Sequence, residues 1–99
     1  VINVDMVAHD ANQPVEVAAG ADSDGLSMQV ASALREAGLP VATSSAAGSD
    51  HASFAGVAQA VTLVQAPYAA MHSPADTVEK VDTTLLDRLV AALAAAAVP

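Results

Sequence analysis

The sequence has no cysteine and no tryptophan, one phenylalanine and one tyrosine, and only three basic side chains in 99 residues. Each shortage excludes a class of function. Without cysteine there is no disulfide scaffold, no thiolate zinc site and no thiol nucleophile. Three Lys and Arg residues cannot make the positive footprint of a nucleic-acid binder. With so few aromatics the core must come from Val, Leu, Ile, Met and Ala, and about a quarter of the chain is Ala. Long apolar runs are missing as well. Leu89–Val98 is too short to span a bilayer. The uncharged stretch from His51 to Ala75 is broken by Gln59, Thr62, Gln65, Pro67 and His72. No basic region precedes an apolar segment at the N-terminus, so no signal peptide is read.

What is present is acidity and apolar patterning. Eleven acidic side chains give a formal net charge of -8, and 54% of the residues are hydrophobic. A chain this apolar is not a disordered tail. Its length allows one domain at most. It can bury only roughly 65% of the surface it exposes when unfolded. A core that light suits part of a larger unit better than a stand-alone enzyme.

The periodicities alternate between strand and helix. Val1 to Val7 is β-branched and apolar, opens without a cap or turn, and reads as a strand buried on both faces. Pro14 to Ala19 reads as a second strand after turn residues Asp10 to Gln13. Asp22, Ser23 and Asp24 are candidate caps for a helix in which Leu26, Val30 and Leu34 recur every four residues. Gly38 and Pro40 stop that helix. Leu39 to Thr43 reads as a strand, Ser44 to Ser53 as a loop, His51 to Gly56 as a short helical turn, and Ala60 to Gln65 as a strand. A loop follows to about Lys80. Thr84 with Asp87 approximates a capping box for a final helix striped by Leu85, Leu89 and Leu93. The order predicts an α/β sheet with helices on its faces.

Three stretches near strand ends could carry chemistry, since ligands in open α/β sheets bind outside the carboxyl ends of strands. In Asn3-Val4-Asp5-Met6, Asp5 is a carboxylate closing an apolar strand. A buried carboxylate needs a metal, a cation or several donors; a cap for a neighbouring turn satisfies the same need. In Ser49-Asp50-His51-Ala52-Ser53, adjacency does not make a Ser-His-Asp relay, and no Gly-x-Ser-x-Gly elbow exists. Ser49 or Asp50 reads as a cap, and His51 as a packing or supporting histidine at the rim of a site. In Met71-His72-Ser73-Pro74-Ala75-Asp76-Thr77, His72 sits in a loop stiffened by Pro74, and Asp76 can close the turn through backbone N–H groups. His72 reads equally as a ligand or an ordinary surface histidine. His9 reads as solvent-exposed.

Taken together and in this order, the three stretches resemble the di-zinc exopeptidase family that includes bacterial secreted leucine aminopeptidases. That family shows an N-x-D-M strand end, a Ser-Asp-His-Ala-Ser loop, and a Met/Tyr-His-Thr/Ser-Pro-x-Asp-Thr loop before a C-terminal helix. Here these are Asn3 to Met6, Ser49 to Phe54, and Met71 to Thr77. The resemblance implies a three-layer α/β/α domain with a mixed, mainly parallel sheet. It implies that Asp5 holds one zinc and His72 the other, that the substrate is a peptide, and that the parent enzyme is extracellular or periplasmic.

The departures from the pattern carry further expectations. The family's site uses five ligands and a general-base Glu, several of them in the N-terminal half of the domain. No Glu-Glu pair occurs here; Glu16, Glu36 and Glu79 are isolated. Residues 1–99 therefore read as the C-terminal portion of a catalytic domain that needs its N-terminal portion and is inactive alone. Relatives often offer a Tyr as oxyanion donor beside the last ligand. Met71 stands there; Tyr68, in the same loop as His72, reads either as a candidate donor or as a Tyr packing on the loop. Readings that stay open are a carboxypeptidase or glutaminyl cyclase on the same fold, and a metal-free binding domain. The di-zinc assignment requires Asp5 and His72 to converge at one edge of the sheet with the Ser49–Ser53 loop beside them.

Overall fold

The computed structural model describes residues 1–46 and 48–97. Four strands, β1 (Ile2–Val4), β2 (Val15–Ala19), β3 (Val41–Ser44) and β4 (Val61–Val64), form one sheet in the order β1-β4-β2-β3. β1 and β4 run parallel, as do β2 and β3, while β2 and β4 are antiparallel. The sheet is mixed, as expected. Two α-helices, α1 (Asp24–Glu36) and α2 (Thr83–Ala97), and 3-10 turns at Asp50–Phe54 and Val78–Lys80 complete the elements.

Strand alternation splits the sheet into two unlike faces. Val15, Val17, Val61 and Leu63 point into one apolar core with Val30 and Leu34 of α1 and Leu85, Leu89 and Ala92 of α2. Each buried Leu or Val contributes about 1.5–3 kcal/mol relative to exposure. Both helices thus pack on the same face, not on both. The opposite face carries Glu16, Ala18, Thr62 and Val64, which line a cavity there together with Ser49 and His51. The described residues supply two layers of the three that the resemblance implies.

β1 also differs from expectation. It is an edge strand of three residues, and Val4 is 47% exposed. Among the described residues its only strand partner is β4, and its exposure departs from burial on both faces.

The helix ends keep Ser23 and Gly38 in the expected places, but the capping bonds differ. Ser23 stands at the N-cap of α1 without a side-chain capping bond. Its hydroxyl instead donates to the Ala21 carbonyl at 3.1 Å and accepts from Ala60 N–H at 2.9 Å, pinning the entry to β4. Gly38 ends α1 with a left-handed φ of 79°. There Leu39 N–H returns to Leu34 carbonyl and Gly38 N–H to Arg35 carbonyl, the paired bonds of a Schellman ending. At α2 the cap is Asp82, two residues before the Thr84 expected. Its carboxylate accepts from Leu85 N–H at 3.0 Å. Its own N–H donates to the Ala8 carbonyl at 2.7 Å, which joins the helix start to the loop after β1. No described helix is long and apolar enough to cross a membrane.

Leu89→Ala should lower unfolding free energy by about 2–5 kcal/mol, as a buried cavity does. Val90→Ala, one position on and 59% exposed, should stay within about 0.5 kcal/mol. Urea denaturation of the two variants checks which side of α2 faces the core.

Candidate active site

The site is built around a glutamine. Gln65 follows β4 and is completely buried. Its backbone N–H donates to Met6 carbonyl at 2.9 Å. Its side-chain oxygen accepts from Ala8 N–H at 2.8 Å and His9 N–H at 3.3 Å. Its amide nitrogen donates to the Asp10 and Gln13 carbonyls, both at 2.8 Å. A primary amide offers two donor hydrogens and two acceptor lone pairs, and all four are engaged. The loop between β1 and β2 is wrapped around this one side chain.

That wrapping sets the backbone next to Asp5. Asp5 N–H makes the last rung of β1 on β4, to Leu63 carbonyl at 3.0 Å. Met6 and Ala8 then take left-handed φ values of 54° and 68°. A left-handed residue with a Cβ costs roughly 1–2 kcal/mol, so the Gln65 bonds must hold the turn. Asp5 is exposed rather than buried. The cost of a buried carboxylate therefore gives no argument for a metal at this residue. Its place does: the carboxylate stands at the sheet end and lines a cavity of about 370 Å³.

His72 lines the same cavity from the opposite loop, beside Met71. It too is left-handed, with φ 57°. The turn after it is fixed by Ser73, whose hydroxyl donates to Ala70 carbonyl at 2.6 Å and accepts from Ala75 N–H at 3.3 Å. Asp76 N–H donates to Ser73 carbonyl at 3.1 Å.

Ser49 and His51 form the third wall, each in a supporting position. His51 is buried, and its Nε2 lies 2.7 Å from the Ala46 carbonyl. A carbonyl only accepts, so Nε2 carries the proton and Nδ1 accepts from the Thr62 hydroxyl at 2.8 Å. Thr62 in turn accepts from Asn3 Nδ2 at 3.1 Å, and the same amide reaches Ser49 Oγ at 3.4 Å. Ser49 is at the start of the 3-10 turn but makes no side-chain cap. Asp50 is exposed and lines no wall of this cavity.

Tyr68 and Asp76 lie elsewhere. The Tyr68 hydroxyl donates to the Asp76 carboxylate at 2.9 Å, and its ring centroid is 4.5 Å from that of His9. These residues line a second, smaller cavity of about 90 Å³ with Lys80. Tyr68 is thus not among the walls facing Asp5 and His72, and its O–H is committed to Asp76. The structure therefore does not bring the Tyr68 hydroxyl to the cavity where an oxyanion donor was expected. Asp76 closes its loop through Tyr68, not through backbone N–H groups. His9 is half-buried between Tyr68 and Gln13, with Nε2 2.8 Å from Gln13 Oε1, not solvent-exposed.

Two residues escaped the sequence reading. Gln65 looked like an interruption of an apolar stretch; a polar amide just after a run of buried strand residues was the available signal. Glu16 lines the main cavity from β2 and accepts from the Ser44 hydroxyl at 3.2 Å. Its signal was the alternation Val15-Glu16-Val17, which sends it to the face opposite the core.

The cavity gathers the carboxylates of Asp5 and Glu16 and the imidazoles of His51 and His72, with both ring nitrogens of His51 already engaged; carboxylate oxygen and imidazole nitrogen are donors zinc takes. Among the described residues, no three His, Asp or Glu side chains are grouped closely enough to hold a metal ion. The residues present therefore fit part of a zinc ligand set. Compared with models of known families, the chain matches the one described as peptidase family M28 over residues 1–97. No curated protein and no solved structure gives a significant match. The chain belongs to peptidase family M28, the family of di-zinc aminopeptidases, whose members generally bind zinc.

Replacing Gln65 by Leu leaves several backbone groups of the 8–13 loop unpaired, at about 1–3 kcal/mol for each one that stays buried. The expected loss is therefore at least about 2 kcal/mol by chemical denaturation. A variant as stable as the parent sinks the claim that this amide holds the loop.

The Tyr68 phenol is pushed above its ordinary range, first by partial loss of solvent and then by the adjacent Asp76 carboxylate. A raised value means the fold favours the neutral O–H, and that contribution is lost as pH rises through the folded value. Asp76→Asn should bring the phenol titration, followed by ultraviolet absorbance, back down toward the ordinary value. An unmoved titration contradicts the assigned hydrogen bond.

Proposed function

We propose that this chain carries two of the metal donors of a zinc aminopeptidase, Asp5 and His72, and that the substrate is the N-terminal end of a peptide. The observation that carries this reading is the shared cavity: two donors from loops 67 positions apart (72 minus 5) line one space in a chain of a zinc-peptidase family. Zinc held by Asp5 and His72 would supply polarisation of a peptide carbonyl and activation of a water.

The chain's own residues do the positioning. Asp5 presents a carboxylate fixed by the last rung of β1 and by the Gln65-held turn. His72 presents an imidazole from a turn that Ser73 ties in place. The Asn3–Thr62–His51 chain of hydrogen bonds braces the rim at Ser49. Met6, Val64 and Met71 add an apolar lining that can take substrate side chains.

A two-ion site with five ligands needs donors and a general base beyond those these 99 residues bring together. On this reading they come from an N-terminal part of the same domain, and the parent enzyme is exported. The shared cavity supports metal binding over a metal-free binding domain.

Incubation of the 99-residue chain with leucine p-nitroanilide and zinc should release no p-nitroaniline. Chelator-sensitive release would overturn the partial-site reading. Calorimetric titration should show weak zinc binding. Asp5→Ala and His72→Ala should each weaken it by no less than the roughly 10–100-fold that losing a residue bonded to a ligand costs. If neither variant changes zinc affinity, the donor assignment is wrong.

A further inference from the structure

Glu16 has no place in the donor pair, yet it faces the same cavity. It sits on β2 between Val64 of β4 and Ala42 of β3. Its neighbours Val15 and Val17 are buried in the core, so its side chain is directed to the face where the cavity lies. The described structure gives its half-buried carboxylate one hydrogen bond, from the Ser44 hydroxyl. A carboxylate has about four acceptor positions, so most remain for a ligand.

Two further observations set its chemistry. Asp5, Glu16 and His72 do not form a group able to hold one metal ion, although all three line the cavity. One ion therefore does not account for all three side chains. No cation answers Glu16 either. Of the three basic side chains, Arg88 donates to the Ala37 carbonyl, Lys80 lines the smaller cavity, and Arg35 lies in the last turn of α1. None lines the main cavity. Val64 pairs with Glu16 across the sheet, and Ala18, Met6 and Met71 add apolar lining to the same cavity, beside polar Ser49, His51 and Thr62. An aliphatic stem fits such apolar lining, and an ammonium or guanidinium tip fits the carboxylate.

We infer that Glu16 is a specificity residue that accepts the cationic side chain of a lysine or arginine at the substrate's first position. This rests on the aminopeptidase reading and refines it, since an apolar cavity alone favours apolar first residues. A negative chain of net charge -8 also draws cationic ligands toward the cavity.

The test uses the 99-residue chain without metal, in chelator, so it does not depend on hydrolysis. Lysinamide and norleucinamide share the α-ammonium and the stem and differ in the side-chain cation. NMR titration following the Ala18 and Val64 amides should give tighter binding of lysinamide. Glu16→Gln, nearly isosteric, should weaken lysinamide by roughly tenfold, the loss of one charge-assisted hydrogen bond, and leave norleucinamide unchanged. Glu16→Asp should keep part of the preference. Equal weakening of both ligands would place the α-ammonium on Glu16 and overturn the side-chain assignment. Equal binding of both by the unaltered chain, or no lysinamide shift at all, overturns it too. Failure of the aminopeptidase reading would show separately, as zinc affinity insensitive to Asp5 and His72.

Discussion

The Gln65 carboxamide is the interaction on which the rest of the site depends. A single uncharged side chain closes the loop from Met6 to Gln13 by four hydrogen bonds, all inside the fold. Without it the left-handed residue Ala8 would lose the acceptor of its N–H, while Met6 and Asp5 would keep only their backbone bonds to Gln65 and Leu63. The choice of an amide over a carboxylate follows from its partners. Two carbonyls need donors and two N–H groups need acceptors, and only an amide offers both in equal number without a charge to desolvate.

The sheet separates stability from chemistry by alternation. Val15, Val17, Val61 and Leu63 hold the helices, while Glu16, Ala18, Thr62 and Val64 face the cavity. A one-residue slip of register would exchange the two sets. Thr62 shows how closely they are joined: its strand neighbours are core residues, and its hydroxyl orders both His51 and Asn3.

Much of this was legible in the sequence. The four strands, the two helices, the Gly38 stop and the short turn at His51 follow from periodicity and turn chemistry. The meeting of Asp5, Ser49, His51 and His72 was expected from motif order, and the structure places all four on one cavity. What was not legible depended on tertiary neighbours. Burial of β1 was overestimated because apolar composition does not distinguish an edge strand from a central one. Thr84 with Asp87 fits a capping box locally, but the helix start is set by Asp82, whose carboxylate takes the Leu85 N–H and whose own N–H is tied to Ala8. Tyr68 was drawn to the cavity by its nearness to His72 in sequence, but its hydroxyl went to Asp76 in space. Gln65 and Glu16 were passed over because one residue's partners lie 52 to 57 positions away, and the other's neighbours are set by strand pairing.

The bond from Asp82 N–H to the Ala8 carbonyl has a thermodynamic meaning. It makes the first turn of α2 and the loop bearing Asp5 one cooperative piece. Whatever binds Asp5 only when that loop is in its native shape must also draw the helix toward its folded state. A cation in the cavity would then slow amide exchange at Leu85 and Leu86, on the far side of the sheet. Occupancy of the site would be readable from a helix that never touches it.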